Sequence, residues 1–372
     1  MGRLNLLAAI AAISVLGFAM GLSYPLLSLQ LDARHYSSAM IGVSAASQPL
    51  GTISSLFAIP WLTRRFGTKR VAVMSAILTS AILATYPIFS NFWIWCALRF
   101  GQGFLFSILF VISESWVVEF SRGAYRTRIV SLYMSAFAAA MALGPVLITV
   151  VGSVGWLPFL TGAAVLLAVT VPIAMINGGE IAHTSTGLPV LNIISRNPVL
   201  VCAVAVFALT EITSLSLLPV YAKALGQTEN RSTLLVSIFV GGPIVLQYPF
   251  AWLGDHFTKR NVLIASAAFS YLAYILLPIA VDTFVVWILL AFLGAATACL
   301  YTLSLARLGE KYRGNDLVAG TAVFSAVYGF GSLIGSSTTG TVMSVLGAAS
   351  FPYVLGAILV VLIIVAAVAS EF

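Results

Sequence analysis

The chain has 372 residues, of which 60% are hydrophobic and only 8% are charged, with a mean hydropathy of +1.07. This composition excludes a soluble globular protein, because a water-exposed surface needs more charge. A helix needs about 20 apolar residues to cross about 30 Å of hydrocarbon. The length therefore accommodates twelve such helices with short loops and leaves no room for a separate catalytic domain.

Six long apolar segments in the first half are predicted to span the membrane, at 4–31, 39–63, 71–89, 92–118, 128–151 and 157–176. Six more follow at 199–222, 232–253, 262–281, 284–306, 317–345 and 352–370. The chain is thus predicted to be an all-α membrane protein with bundles at 1–176 and 199–372. Residues 177–198 are interpreted as a flexible cytoplasmic linker; residues 188–194 could instead form a short amphipathic turn in the membrane interface.

The two halves repeat each other at a constant offset. Trp61 pairs with Trp252, Glu119 with Glu310, Arg122-Gly123 with Arg313-Gly314 and Gly144 with Gly335, each 191 residues apart. Two similar six-helix bundles can rock about a central site and expose it to one side of the membrane at a time. The repeat therefore favours a transporter with pseudo-symmetric halves.

Basic residues indicate the orientation of the helices. The loops at 1–3, 64–70, 122–128, 196, 259–260 and 307–313 hold fourteen of the 18 Lys and Arg residues, whereas the opposite loops hold Arg34, Lys223 and Arg231. By the positive-inside rule, both termini and the linker are cytoplasmic. The net charge of +7 is therefore a topology signal and does not indicate nucleic-acid binding. Trp93, Trp95, Trp156 and Trp287 are expected at the exterior membrane interface.

Several chemistries lack the residues they need. Cys96, Cys202 and Cys299 occur singly within spans, and His35, His183 and His256 fall in loops or at helix ends. No spacing fits a metal site or disulfide, and no glycine-rich phosphate loop is present. We therefore expect no metal, no cofactor and no enzymatic activity.

Two matching loops carry a family resemblance. The segments 60–70, PWLTRRFGTKR, and 251–260, AWLGDHFTKR, resemble the signature loop of the major facilitator superfamily, Gly-x-Leu-Ala-Asp-Arg-x-Gly-Arg-Lys. Asp255 keeps the acidic position in the second copy, whereas Arg64 occupies it in the first. The resemblance implies a twelve-helix fold and a cluster of charges that latches the cytoplasmic ends of the helices.

Shorter motifs agree with this resemblance. Arg99-Phe-Gly-Gln102-Gly103 is similar to the family's Arg-x-x-Gln-Gly motif on helix 4, and Gly144-Pro145 is a partial match to its antiporter motif on helix 5. That glycine could instead serve close helix packing. The stretches 114–116, ESW, and 217–222, LLPVYA, resemble the poorly characterised YcaD-like branch.

Three charged residues, Arg99, Glu114 and Glu211, fall inside predicted spans. A charge at the centre of a membrane helix costs about 2.5–3.5 kcal/mol on insertion scales, so such residues face a wet cavity or a partner. Arg99 and Glu211 have similar predicted depths, and the resemblance implies that helices 1, 4, 7 and 10 line the central cavity. We therefore predict that Glu211 binds a proton or a cationic group while Arg99 pairs with it or binds an anionic group; a static structural pair is the alternative.

Further polar residues at interior depths complete the candidate site for the solute or proton. They are Gln102, Tyr24, Gln48, Gln247, Tyr301 and Tyr328. Hydrogen bonding between helices is the alternative role for each of them.

The resemblance also implies a cytoplasmic gate. Its candidate members are Arg64, Arg65, Lys69, Glu114, Glu119, Asp255, Lys259, Arg260, Glu310 and Arg313. Since Arg64 replaces the expected Asp, we expect Glu114 to supply the missing negative charge by reaching Arg64 or Arg65. Alternatively, these loop charges only determine topology.

Taken together, the sequence predicts a secondary active transporter that moves a small organic solute by alternating access. A proton is the expected coupling ion, and export is one open direction. A passive lipid scramblase or channel is the alternative function. We expect a monomer with both termini cytoplasmic in a bacterial inner membrane.

Overall fold

The computed structural model describes residues 2–120, 126–176, 190–312 and 314–369, without the side chains of 2–4, 118–119, 126–131, 190–192, 247–248, 251, 255, 314–315 and 317–319. In the first half the helices are α1 Gly2–Ala33, α2 Ser38–Phe66, α3 Thr68–Thr85, α4 Phe92–Phe120, α5 Arg126–Val151, α6 Leu157–Ala168 and α7 Thr170–Met175. In the second half they are α8 Val190–Arg196, α9 Pro198–Ala224, α10 Glu229–His256, α11 Lys259–Ala280, α12 Val285–Lys311, α13 Gly314–Leu346 and α14 Phe351–Val368. Each of the twelve predicted spans corresponds to one of these helices or, for the sixth, to a pair of them.

Two local features differ from the sequence expectation. The sixth span is interrupted at Val169, where α6 ends and α7 begins. Pro172, in the first turns of α7, has no N–H to donate to the carbonyl of Ala168, so the helical ladder is broken there. In addition, Val190–Arg196 forms the helix α8 within the segment that we interpreted as flexible linker; residues 177–189 lie outside the described part of the chain.

The described residues contain nine helices that are long and apolar enough to cross a membrane on their own. α2 is not among them, because serine, threonine, glycine and proline dilute its apolar residues. Such a helix is stable in a membrane when neighbouring helices satisfy its polar groups.

Helix packing divides the chain into two compact units. Unit 1 comprises Met1–Arg34 and Ser47–His183, and unit 2 comprises His35–Ala46 and Thr184–Phe372. In unit 1, α1 packs against α5 and α4, while α3 packs against α4 and α6. In unit 2, α9 packs against α13, α12, α10 and α14, and α10 packs against α12. The predicted bundle boundaries at 176 and 199 stay a prediction.

Two glycines allow α2 and α4 to approach closely in unit 1. A Cβ at Gly51 would collide with the backbone of Phe100, and a Cβ at Gly103 would collide with the backbone of Gln48. The Thr52 hydroxyl lies 3.3 Å from the Gly103 carbonyl oxygen, to which it donates. Backbones approach this closely only where small residues leave room.

The same crossing recurs between α10 and α12 in unit 2. A Cβ at Gly242 would collide with the backbone of Ala291, and a Cβ at Gly294 would collide with that of Phe239. All four residues lie 191 positions after their counterparts in unit 1. The internal repeat is therefore a repeat of helix packing as well as of sequence.

This crossing gives a testable prediction. Gly294→Ala is expected to reduce the yield of folded, monodisperse protein in detergent and to lower its Tm, because the added methyl would displace the Phe239 backbone. Gly309→Ala on the same helix is the matched control, since a Cβ there meets nothing within 4 Å. Alanine is favoured over glycine inside a helix by about 0.5–1 kcal/mol, so the control should be neutral or slightly stabilising. Equal melting curves for the two variants would contradict the packing role of Gly294.

In unit 1, an arginine joins the end of α1 to the loop that precedes α4. Arg34 donates to the carbonyl oxygen of Phe89 at 3.2 Å, and its guanidinium lies 4.3 Å from the centre of the Trp95 ring. The Trp95 indole N–H donates to the same carbonyl at 2.8 Å. Trp95 is only 1% exposed, so its expected place at the membrane interface is wrong: it packs inside the unit.

Unit 2 repeats this arrangement with different residues. Arg231 donates to the carbonyl oxygens of Val281 at 2.8 Å and Thr283 at 3.2 Å, and it lies 5.7 Å from the centre of the Trp287 ring. Arg34 and Arg231, two of the three basic residues that the sequence predicts on the exterior side, thus donate hydrogen bonds to carbonyls in the loops that precede α4 and α12.

Candidate functional site

Glu211 lies near the middle of α9. Among residues 206–222 it is the one residue that is not buried. α9 is covered by four neighbouring helices, and Glu211 is only partly buried among them. A carboxyl in the middle of a membrane-length helix is a candidate functional group, since an ionised group there needs water or a partner.

Tyr328 on α13 holds one oxygen of this carboxyl. Its hydroxyl donates to Oε2 of Glu211 at 2.7 Å, a distance typical of a hydroxyl bonded to a carboxylate. The two helices approach closely because a Cβ at Gly331 would meet the carbonyl oxygen of Ala205 at 2.5 Å. Two predicted site residues that lie 117 positions apart are thus brought together.

Aromatic rings from three helices pack together beside this carboxyl–phenol pair. Phe207 lies one turn before Glu211 on α9, and its ring centre is 5.4 Å from that of Tyr301 on α12 and 5.9 Å from that of Tyr328. Offset or tilted rings at these distances attract one another. The result is a carboxyl group beside mainly aromatic walls; Phe207 is the member that the sequence did not single out.

The candidate residues of unit 1 form a second polar cluster around α4. Arg99 is fully buried and donates to the carbonyl oxygen of Tyr24 at 3.3 Å. The phenols of Tyr86 and Tyr24 lie near its guanidinium. The Tyr86 hydroxyl donates to Oε1 of Gln102 at 3.0 Å.

Two glutamines in this cluster have unused hydrogen-bonding capacity. Within the described residues, Oε1 of Gln48 and Nε2 of Gln102 are buried without a hydrogen-bond partner. A buried, unsatisfied polar atom costs about 1–3 kcal/mol, and native proteins retain few of them. Tyr86, which packs against Trp95 and Phe159 with ring centres 5.2 and 5.9 Å apart, was not predicted as part of this cluster.

The structure leaves two predictions about the site untested. Arg99 belongs to unit 1 and Glu211 to unit 2, and the ion pair between them stays a prediction. The side chain of Gln247 lies outside the described residues.

At Gly144, the partial antiporter motif coincides with close helix packing. A Cβ there would collide with the backbone of Gly21 and Leu22 on α1.

The charges proposed for a cytoplasmic gate are partly described. Glu310 forms ion pairs with Lys259 at 2.8 Å and with Arg307 at 3.2 Å. Arg260 donates to the carbonyl oxygens of Ala366 at 2.8 Å and Ala367 at 2.7 Å at the end of α14. These contacts join α11, α12 and α14 within unit 2. The ion pairs are half exposed, so each contributes at most about 1 kcal/mol.

In unit 1, the contact found for Glu114 differs from the expected one. The Tyr133 hydroxyl on α5 donates to its Oε1 at 3.0 Å, whereas we expected Arg64 or Arg65. Those two arginines are exposed at the end of α2, and Lys69 follows in the first turn of α3. The side chains of Glu119, Asp255 and Arg313 lie outside the described residues.

The helices define an integral, multi-pass α-helical membrane protein, and comparison with known proteins identifies its kind. The family model described as Major Facilitator Superfamily matches residues 8–208 and 199–370, so this chain belongs to the major facilitator superfamily and is a membrane transporter. The resemblance to the YcaD-like branch is confirmed. The chain is 23% identical over 363 residues to the uncharacterized MFS-type transporter YfkF of Bacillus subtilis, covering 95% of this chain and 92% of that protein. It is 24% identical over 339 residues to the uncharacterized MFS-type transporter YcaD of Escherichia coli, and the match covers 90% of this chain and 87% of that protein.

Solved structures confirm the twelve-helix fold. The nucleoside transporter NupG superposes with a TM-score of 0.81 at 12% identity, covering 98% of both chains. A D-xylose-proton symporter superposes with a TM-score of 0.74 at 14% identity, covering 98% of this chain and 97% of that one. At these identities the likeness concerns the fold and carries no substrate.

Proposed function

We propose that this transporter moves a small organic solute by alternating access and couples its movement to protons, with Glu211 as the proton-binding carboxyl. The supporting observation is that Glu211 is only partly buried within an otherwise buried stretch of α9 while Tyr328 donates a hydrogen bond to one of its oxygens. Such a group can exchange a proton with water without leaving its place in the helix. We place the protein in a bacterial inner membrane as a monomer, with both termini cytoplasmic and export as its direction.

A proton fits this site better than a metal cation does. Hard cations need several oxygen ligands, and the polar group that the structure places against Glu211 is the single hydroxyl of Tyr328. The energy is sufficient, since a proton-motive force of about 100 mV supplies about 2.3 kcal/mol per proton, which supports roughly a fifty-fold gradient. One neighbour in fold is named a proton symporter, which is compatible with this coupling.

The cluster in unit 1 is proposed to bind the polar part of the solute. Gln48 and Gln102 offer an acceptor and a donor that have no partner among the described residues, and Arg99 supplies a positive charge beside them. A site whose buried polar groups need the solute for their hydrogen bonds discriminates strongly against solutes that lack the matching groups.

The test begins by identifying the solute. Deletion and overexpression strains are compared for growth on a panel of metabolites and toxic compounds, and the strain that accumulates the compound gives the direction. The purified protein is then reconstituted in liposomes with an imposed pH gradient. We expect the gradient to drive the solute uphill and nigericin, which collapses it, to stop that movement. Uphill movement that persists without a proton gradient would overturn the proposed coupling.

A charge network at the cytoplasmic ends is proposed to act as the gate. We expect Glu114→Gln to shift the resting population toward the inward-facing state, because the neutral amide weakens the closed cytoplasmic end. Asp255→Asn is expected to do the same from unit 2. A several-fold change in the ratio of two states corresponds to about 1 kcal/mol.

Paired spin labels on the cytoplasmic ends of the helices report this shift as longer distances. Tyr133→Phe serves as a second variant, since it removes the hydroxyl that bonds Glu114 and keeps the carboxyl. We expect it to cause a smaller shift in the same direction. Unchanged distances together with lost solute binding in Glu114→Gln would move this residue from the gate to the binding site.

A further inference from the structure

One carboxylate oxygen of Glu211 has no hydrogen-bond partner among the described residues, and this indicates what the site binds. Oε2 accepts the Tyr328 hydroxyl at 2.7 Å, whereas Oε1 accepts no hydrogen bond from any described residue of the chain. Since Glu211 as a whole is only partly buried, Oε1 is the oxygen that a proton or a ligand would bind. A carboxylate accepts hydrogen bonds and attracts positive charge, so it disfavours an anionic ligand.

The aromatic rings beside Glu211 restrict the chemical class of the ligand further. The centre of the Phe207 ring lies 5.4 Å from that of Tyr301 and 5.9 Å from that of Tyr328. The face of an aromatic ring carries a partial negative charge and attracts cations within about 6 Å of its centre. Small inorganic cations need oxygen ligands that these rings do not supply. An organic cation, with charge spread over an apolar body, satisfies both the carboxylate and the rings.

We propose that unit 2 holds an aromatic-walled site for a monovalent organic cation, in which the carboxylate of Glu211 neutralises the charge and Phe207 and Tyr301 contact the apolar body. This inference rests on the proposed function, for which it names the class of solute.

Competition between the cation and a proton follows from this geometry. A proton on Oε1 removes the negative charge and the lone pair that the cation uses, so the two ligands exclude each other. Each cation that binds displaces one proton, and the exchange leaves the net charge of the site unchanged. Entry of protons would then drive the cation outward.

Tyr328 bonds Glu211 from α13, and Tyr301 of α12 packs against Phe207, one turn away from Glu211. The remaining titratable residues of the helices packed on α9 are Glu229, Arg231, Tyr248, Asp255 and His256 of α10, Cys299, Arg307, Glu310 and Lys311 of α12, Asp316 of α13 and Tyr353 of α14. On α9 itself they are Cys202, Tyr221 and Lys223. The carboxyl groups among these residues lie in the first or last turn of their helices, so Glu211 is the carboxyl group expected to exchange the proton.

Binding of defined probes to the purified full-length protein tests the proposal. The cations are tetraphenylphosphonium and the smaller benzyltrimethylammonium, and tetraphenylborate is an anion of the same shape as the first. We expect at least one cation to bind, to bind more weakly as the pH falls, and to release about one proton in weakly buffered solution. Tetraphenylborate should not bind. Glu211→Gln should weaken cation binding about tenfold and release no proton, because the amide keeps an acceptor oxygen but loses the negative charge and the titration.

A matched pair of variants tests the aromatic walls. Phe207→Leu removes a ring but keeps an apolar side chain, and it should weaken cation binding about three- to thirtyfold. Phe292→Leu on α12 is the control, since that ring is 40% exposed and pairs with Phe269 instead. The control should bind cations like the wild type.

Cation binding and proton-driven transport are measured separately, so the loss of one can be told apart from the loss of the other. If neither cation binds, if tetraphenylborate binds equally well, or if Glu211→Gln binds the cations unchanged, the cation site is overturned. The proposed coupling then still stands or falls on uphill movement of the screened solute in liposomes. Cation binding that depends on Glu211 but releases no proton would keep the cation site and overturn proton coupling at that carboxyl.

Discussion

Glu211→Gln is expected to abolish proton-driven accumulation of the solute while leaving exchange of labelled for unlabelled solute partly intact. The amide keeps the size of the carboxyl and can still accept the Tyr328 hydroxyl, which lies 2.7 Å from Oε2. It cannot bind and release a proton, so the step that couples the gradient to the solute is lost. Exchange needs only the two-sided exposure of a loaded site and therefore persists.

The experiment uses liposomes with an imposed pH gradient and compares uphill uptake with counterflow at equal pH. Asp282→Asn is the matched control, because this carboxylate lies in the exposed turn between α11 and α12, where it accepts a hydrogen bond from Gln227. We expect at least a tenfold loss of uphill uptake in Glu211→Gln and none in the control. Normal uphill uptake in Glu211→Gln would exclude this carboxyl as the coupling group.

Arg99→Lys is expected to abolish transport despite keeping the positive charge. Arg99 is 0% exposed, donates to the Tyr24 carbonyl and lies near the Tyr86 phenol. Its planar guanidinium offers five donors in a fixed geometry, whereas the lysine ammonium is a compact, strongly hydrated charge with three. Lysine would therefore place its charge and its donors differently among these buried neighbours, and we expect transport to fall more than tenfold.

Arg196→Lys is the control for this substitution, since Arg196 is exposed at the end of α8 and its described contact uses its backbone carbonyl. Melting curves of both variants separate a loss of folding from a loss of function. If Arg99→Lys is stable and transports at the wild-type rate, Arg99 acts only as a charge. If it is stable but binds no solute, the cluster in unit 1 is part of the binding site.

The sequence was sufficient for the helices, their number and the repeat. A membrane allows a backbone to cross only when its N–H and C=O groups are bonded internally, so each long apolar segment had to become a helix. The 191-residue offset paired the halves, and Arg99, Glu114 and Glu211 were recognisable because charges inside apolar segments are costly.

Which side chains these residues contact could be seen only in the tertiary structure. Tyr328 bonds Glu211 across 117 positions, Tyr133 bonds Glu114 where an arginine was expected, and Trp95 packs inside its unit. In lipid, burial of apolar surface does not determine which face of a helix meets its neighbour; close packing and polar contacts do. The rotation and depth of each helix thus depend on where glycines such as Gly103 and Gly294 let backbones touch. The sequence by itself therefore determined which polar residues enter the membrane, and only the packing of the helices decided which of them meet.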